Sequence, residues 1–368
     1  MQPAAVSRSH KAPARILPAF EDAGWKDVLM TMSPTPRWSF DVSQADWVKE
    51  RLDDLMAGTV SSIVPAGFDA YARILHPVET PLHGDRLVRW RDVANWGGQV
   101  LTAQSQWLAV AMPEVEPKHP RPWRRQGPKQ GSLYPDDARA LTEIAGQFTD
   151  TPQRCWCCIW EGFGWWSRSW LLPPGQLATS PPPSPVPLEA KDWPKVHTRY
   201  RGYFLYEESL ETSFVEAIEI LEGHSPNLWW PSDHAWCVGT EIDFDSTYVG
   251  GSKPFIDAIP QSEELEAFEV GSTDSTFVDL PAWMFRVVDR TVDELLSTGR
   301  AEVETSIGRI HFELDRPSRL HRGVFRYGID HDGNRGGSGQ SPLSKGSGED
   351  LRRQLEFQVE GGLRSLAT

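Results

Sequence analysis

Cysteine is scarce: four in 368 residues, three of them at 155, 157 and 158. Neighbouring cysteines are poor partners for one another, so a small cross-linked secreted scaffold is excluded and a reducing compartment fits. Long apolar runs are missing as well. Nowhere do about 18 apolar residues follow one another, the length a membrane-spanning helix needs. The opening MQPAAVSRSHKAPARILPAF carries basic residues without the apolar core of a secretory leader. The sequence thus predicts a soluble, cytoplasmic protein with no membrane partner. Positive charge is in deficit: 37 Lys and Arg stand against 51 Asp and Glu, a net charge of −14. A nucleic-acid partner is excluded on that ground, because binding phosphates needs basic surface to displace their counterions. The motifs G-x-S-x-G, H-E-x-x-H and G-x-x-x-x-G-K-[ST] do not occur, which removes the local signatures of serine hydrolases, zincins and P-loop enzymes. No segment repeats at a fixed period, so solenoids and propellers are set aside.

What is present is a chain long enough to bury a sizeable core, with 30 prolines, 30 glycines and 17 tryptophans. The prolines and glycines imply many loops. Tryptophan is first of all large core filling with an N–H that needs a partner, and only secondarily a platform for ligands. The composition divides the chain into a flexible arm over 1–37, a globular region over 38–327, a glycine- and serine-rich flexible linker over 328–348, and a terminal helix over 349–368. The globular region reads as one domain interrupted by proline-rich loops at 113–131 and 172–190. The first loop is the only locally basic stretch. It could meet an acidic partner or the acids at 241–245, but a solvated loop is the favoured reading.

Periodicity gives the elements. Apolar residues at helical spacing mark helices after Ser43, within 86–110, from Pro135, after Ser213, from about 254 to 268, and around Thr291 to Gly299. Alternating or dense apolar runs mark strands near 64–78, 155–162, 198–206, 236–248 and, as a hairpin, 301–314, with a short one near 277–287. Their irregular order predicts an α+β fold with a mixed or antiparallel sheet. A doubly wound α/β sheet is the alternative.

The stretch 229–251, WWPSDHAWCVGTEIDFDSTYVGG, concentrates the chemistry. If 236–248 is extended, Glu241, Asp243 and Asp245 share one face about 7 Å apart. Like charges so close call for water, a basic partner or a cation such as Mg²⁺. Asp243-Phe244-Asp245-Ser246-Thr247 resembles the DxDxT signature of haloacid dehalogenase-type phosphohydrolases. The resemblance implies Asp243 as nucleophile and Asp245 as acid/base, both beside Mg²⁺. The lysine and the downstream acidic pair of that family do not follow in order. Cys155, Cys158, His234 and Cys237 together match the ligand types of a tetrahedral zinc site. Strand residues three apart face opposite ways, however, and buried thiols are ordinary core, which favours packing over ligation. Asp330-His331-Asp332-Gly333-Asn334 resembles the start of a calcium loop without its closing glutamate. The segments 64–77, 155–165 and 225–252 together are similar to a group of actinobacterial proteins with no assigned activity, and this similarity carries no functional residue.

Two functional readings result. The first is a non-enzymatic binding or regulatory protein with a protein partner, suited by the acidic surface and proline-rich straps. The alternative is a Mg²⁺-dependent phosphohydrolase-like enzyme that uses Glu241, Asp243 and Asp245.

Overall fold

The run Cys-Trp-Cys-Cys-Ile-Trp has no polar face because it lies in the middle of a sheet covered on both sides. The structure, a computed structural model, describes residues 36–79, 87–115, 117–123, 127–165, 184–186, 188–276, 282–305, 308–316, 323–331, 334–343 and 348–365. Residues 1–35 of the expected arm, 172–183 of the second proline-rich loop and 277–281 of the expected short strand lie outside the described residues.

Among the described residues nine strands form the large sheet. They are β1 (Arg37–Ser39), β2 (Ala70–Leu75), β3 (Cys155–Trp160), β4 (Val196–His197), β5 (Gly202–Glu208), β6 (Leu228–Pro231), β7 (Cys237–Gly239), β8 (Ser246–Gly251) and β9 (Ala267–Val270). Their order is β1-β5-β3-β6-β7-β8-β2-β9, with β4 also on β5. A second sheet is a meander of β10 (Arg300–Thr305), β11 (Gly308–Asp315), β12 (Val324–His331) and β13 (Asn334–Pro342). Every pairing in both sheets is antiparallel. The fold is therefore α+β with an antiparallel sheet, and the doubly wound alternative is set aside.

Alternation along β3 sends its side chains into two different cores. Cys155, Cys157 and Ile159 join Phe204, Tyr206 and Trp229 under the helices Pro135–Ala145 and Phe214–Ile220, while Trp156 and Cys158 join Leu205, Trp230 and Cys237. The helices are α1 (Asp46–Arg51), α2 (Trp90–Trp96), α3 (Trp107–Ala111), α4 (Pro135–Ala145), α5 (Phe214–Ile220), α6 (Lys253–Ala258), α7 (Ala282–Thr298) and α8 (Gly348–Ser365). Residues Val48, Val60, Ile63 and Val64 cover the second face. Gly239 makes this possible, because a Cβ there would stand 2.4 Å from the Ile63 carbonyl oxygen. A third core joins α2, α3, α7 and α8 to the second sheet. Trp90, Trp229, Trp230 and Trp236 are fully enclosed, in line with tryptophan as core filling. No helix among the described residues is long and apolar enough to cross a membrane.

The start of α2 is held by a side chain distant in sequence. Glu266, buried, accepts from the backbone N–H groups of Trp90 at 2.6 Å and Arg91 at 3.0 Å, and from Arg91 Nε at 2.8 Å. One carboxylate thus satisfies two of the orphan donors of a helix end. Glu266→Gln should lower stability by about 2 kcal/mol in chemical denaturation, the scale of a hydrogen bond to a charged group.

Three expectations are corrected. The linker expected over 328–348 is largely paired strand: Val324 faces Pro342 and Gly328 faces Ser338 across β12 and β13. Backbone pairing needs no apolar side chains, so a glycine- and serine-rich composition conceals it. Residues 332–333, which include part of the calcium-like stretch, and 344–347 lie outside the described residues. The strand expected near 277–287 is helix α7 over its described part, since Met284, Val288, Val292 and Leu295 recur at helical spacing and are buried. The helix expected over 254–268 ends at Ala258, and Ala267 begins β9. The terminal helix is present as α8 and sets Leu355, Val359 and Leu363 into the third core.

Candidate functional site

The three carboxylates at 241–245 do not form a row. The strand expected over 236–248 breaks after Gly239, and the chain turns before β8 begins at Ser246. Phe244 N–H donates to the Glu241 carbonyl at 3.0 Å, which closes a four-residue turn with Asp243 in its third position. Aspartate is ordinary turn chemistry there. The carboxylates are then divided between two arginines. Arg201 donates Nε at 3.0 Å and Nη2 at 2.5 Å to Glu241, and Nη2 at 2.9 Å to Asp243. Asp245 looks the other way, 3.9 Å from Nη2 of the buried Arg73. Glu241 is 7% exposed and Asp243 72%. Burial raises the Glu241 carboxyl above its ordinary range against the pull of Arg201, and burial raises Asp245 against the pull of Arg73. Among the described residues no group of three or more His, Cys, Asp or Glu is arranged to hold a metal ion. Asp243 and Asp245, read as a nucleophile and its acid/base, therefore do not converge.

The basic loop does reach this turn, though by backbone rather than by charge. Gly131, at φ +71°, donates its N–H to the Phe244 carbonyl at 2.9 Å. A Cβ at Gly131 would stand 2.6 Å from the Ile242 carbonyl oxygen, so only glycine allows the approach. Asn227 completes the clamp, donating to the carbonyls of Gly131 and Thr240 at 3.2 and 3.1 Å while accepting from Trp160 N–H at 2.9 Å. The half-buried basic side chain here, Lys129, donates to the Gly223 carbonyl at 2.5 Å and not to the acids.

This clamp forms one wall of a cleft of about 330 Å³. The other walls are the segment 49–63 and the β4–β5 turn, whose Thr198 N–H donates to the Arg201 carbonyl at 3.0 Å. Lys49, Arg199 and Arg201 face three acids, Asp53, Asp54 and Glu241, across apolar surface from Leu52, Leu55, Ile63 and Leu228. Arg199 pairs with Asp54, and Asp53 Oδ2 accepts from Ser61 Oγ at 2.6 Å. The volume is that of a small-molecule site, and the mixture of apolar wall with few charged groups is typical of one.

Behind the cleft runs a buried chain of hydrogen bonds. His76 Nδ1 lies 2.6 Å from the Lys129 carbonyl, Nε2 lies 2.8 Å from Thr247 Oγ1, and Thr247 Oγ1 lies 2.7 Å from Thr240 Oγ1 in the cleft wall. A carbonyl only accepts, so neutral His76 carries its proton on Nδ1 and accepts from Thr247 through Nε2. Thr247 in turn accepts from Thr240. Burial, together with the nearby Lys129 and Arg73 charges, pushes the His76 pKa down to about 4. The imidazole is neutral at pH 7 and is a poor base for Thr240.

The four thiols and His234 do not converge either. Cys155 and Cys158 fall in different cores, and His234 stacks on Trp47 with ring centroids 4.4 Å apart. All four thiols are buried, and burial raises each well above its ordinary value or up toward the strongly basic range. Native protein should therefore show no reaction with Ellman's reagent at pH 8, while denatured protein titrates all four thiols.

Sequence reasoning missed Arg73, Arg199 and Arg201. Arg73 had a signal, a charged residue inside the apolar strand AYARIL. Arg201 had none, since its partners lie 40 and 42 residues away. No family model matches the chain, and neither a curated protein nor a solved structure matches it.

Proposed function

We propose that the chain is a non-enzymatic binding protein that holds a small polar ligand in the cleft between residues 49–63, the β4–β5 turn and the Glu241 turn. The observation that supports this most directly is the state of the cleft's charges. Arg201 is positioned by the buried Glu241 and Asp53 by Ser61, while Arg199 pairs with Asp54 at the exposed rim. A fixed array of charges recognises a ligand without reorganising. His197 also lines the cleft, but among the described residues the Ser62, Thr198 and Thr240 hydroxyls bond to backbone carbonyls or to Thr247 and not to it. The thiols are buried in the cores, His76 is neutral behind the wall, and the Ser62 hydroxyl is spent on the Thr59 carbonyl at 2.6 Å. The phosphohydrolase reading gains no support from carboxylates that two arginines divide.

Ligand-observed NMR with a library of polar metabolites tests the reading. Hits are expected with wild-type protein and should vanish in Leu55→Trp, which places an indole at the cleft. An absence of hits, or hits that survive Leu55→Trp in a folded variant, would count against the cleft.

A further inference from the structure

From the arrangement of charge in this cleft we infer that its ligand is a zwitterion of the aliphatic α-amino acid class. The inference rests on the cleft being a binding site. Three features at one site carry it. The first is a guanidinium with unused donor capacity: Arg201 spends Nε and Nη2 on Glu241 and shares Nη2 with Asp243, leaving Nη1 without a hydrogen-bond partner among the described residues. Glu241 is buried and fixes the plane of the group, whereas Asp243 is 72% exposed. An exposed pair is weak and easily replaced. A ligand carboxylate can take Nη1 and Nη2 side by side, the bidentate geometry that arginine favours, and release Asp243 to water. Asp243, beside the cleft lining, thus competes with the ligand for Nη2.

The second feature is an anion for the other end. Asp53 Oδ2 is oriented by Ser61 Oγ, and no cation pairs with Asp53 among the described residues. A ligand ammonium supplies that cation. The third is the apolar wall of Leu52, Leu55, Ile63 and Leu228, which suits a hydrocarbon side chain rather than a sugar or a phosphate. The charge balance agrees. Three cations and three acids line the cleft, so a ligand of net charge zero is accommodated without leaving a charge uncompensated. The volume of about 330 Å³ admits one amino acid with its hydration.

Isothermal titration with L-leucine, N-acetyl-L-leucine and L-leucinamide tests the inference. L-Leucine should bind, and each blocked derivative should bind at least about tenfold more weakly, the scale of losing one charged hydrogen bond in a site. Asp53→Asn should weaken L-leucine to a similar extent and erase its advantage over N-acetyl-L-leucine. Asp243→Asn should tighten L-leucine severalfold by removing the competitor for Arg201. Equal binding of the blocked derivatives, or weaker binding in Asp243→Asn, would overturn the proposed class. If L-leucine, isoleucine, valine and methionine all fail while another metabolite binds and is lost in Leu55→Trp, the class falls and the cleft stands as a binding site. If no metabolite binds, both fall.

Discussion

Arg73→Met should destabilise the protein by about 3–5 kcal/mol, the cost of removing one partner from a buried ionic network. Arg73 is 3% exposed, on a strand whose every residue is buried. It survives there because its donors are matched: Nε to Ser246 Oγ at 3.0 Å, and Nη1 to the carbonyls of Ala103 and Ser105 at 2.9 and 2.8 Å. Its guanidinium also lies 5.6 Å from the Trp90 ring centre. Methionine keeps most of the volume but leaves two carbonyls and the Ser246 hydroxyl without their donor, and Asp245 without its counter-charge. Asp245→Asn should cost only about 1 kcal/mol, because the Arg73–Asp245 contact is 3.9 Å long and the arginine retains its other acceptors. Urea denaturation of both variants checks the asymmetry. Equal losses would mean that Asp245, and not the backbone carbonyls, is what holds the arginine in the core. A phosphohydrolase site would reverse the expectation in another assay, since Asp245 would then matter to turnover and hardly at all to folding.

The same arginine shows what the sequence carries and what it conceals. The dense run at 155–160 read as a central strand and the stripe Ala138, Leu141, Ala145 as a core-facing helix, so the class of fold and about half of its strands were legible. Hydrophobic period reports which face is buried, and that information is local. The site is not local. Arg201 meets Glu241 and Asp243 across 40 and 42 residues, and Arg73 meets Ser246 across 173. A row of acids in sequence therefore looked like a metal site because its counter-ions were elsewhere. The break at 240–245 was concealed for a related reason. Alternation of Ile242, Phe244 and Tyr248 continues through a turn that is set by Gly131 packing on Ile242, a contact 111 residues away that composition does not register. The strands at 324–342 were concealed for the opposite reason, since backbone hydrogen bonds hold them and their glycines and serines signal only a loop.

Stability should fall steeply as pH drops from about 6.5 to 4, and His76 should account for about 3 kcal/mol of that fall. The unfolded chain binds a proton at His76 near the ordinary value of 6.5, whereas the folded chain resists it until about 4. Between these values the unfolded state holds more protons, so stability rises with pH across the window. It is complete above about 7 and lost as pH approaches the folded value. Each pH unit of difference corresponds to about 1.4 kcal/mol. The groups around the ring explain why it resists. Burial comes first, then the positive charges of Lys129 and Arg73, while the Lys129 carbonyl on Nδ1 favours the proton and is outweighed. His224, stacked on Phe163 at 3.8 Å, is also pushed down to about 4 and adds to the slope in the same direction. Glu241, Asp245, Asp137 and Glu208 oppose it. Burial raises their carboxyls, so their folded forms bind protons more readily than their unfolded ones and favour low pH. The difference between wild type and His76→Gln isolates the imidazole from these terms. Glutamine retains a donor for the Lys129 carbonyl and an acceptor for Thr247 but does not titrate. Urea melts at half-unit steps from pH 4.5 to 7.5 should give a wild-type curve that climbs more steeply than that of His76→Gln, by up to about 1.4 kcal/mol per unit. Parallel curves would place a charged or solvated imidazole where the buried hydrogen-bond chain requires a neutral one.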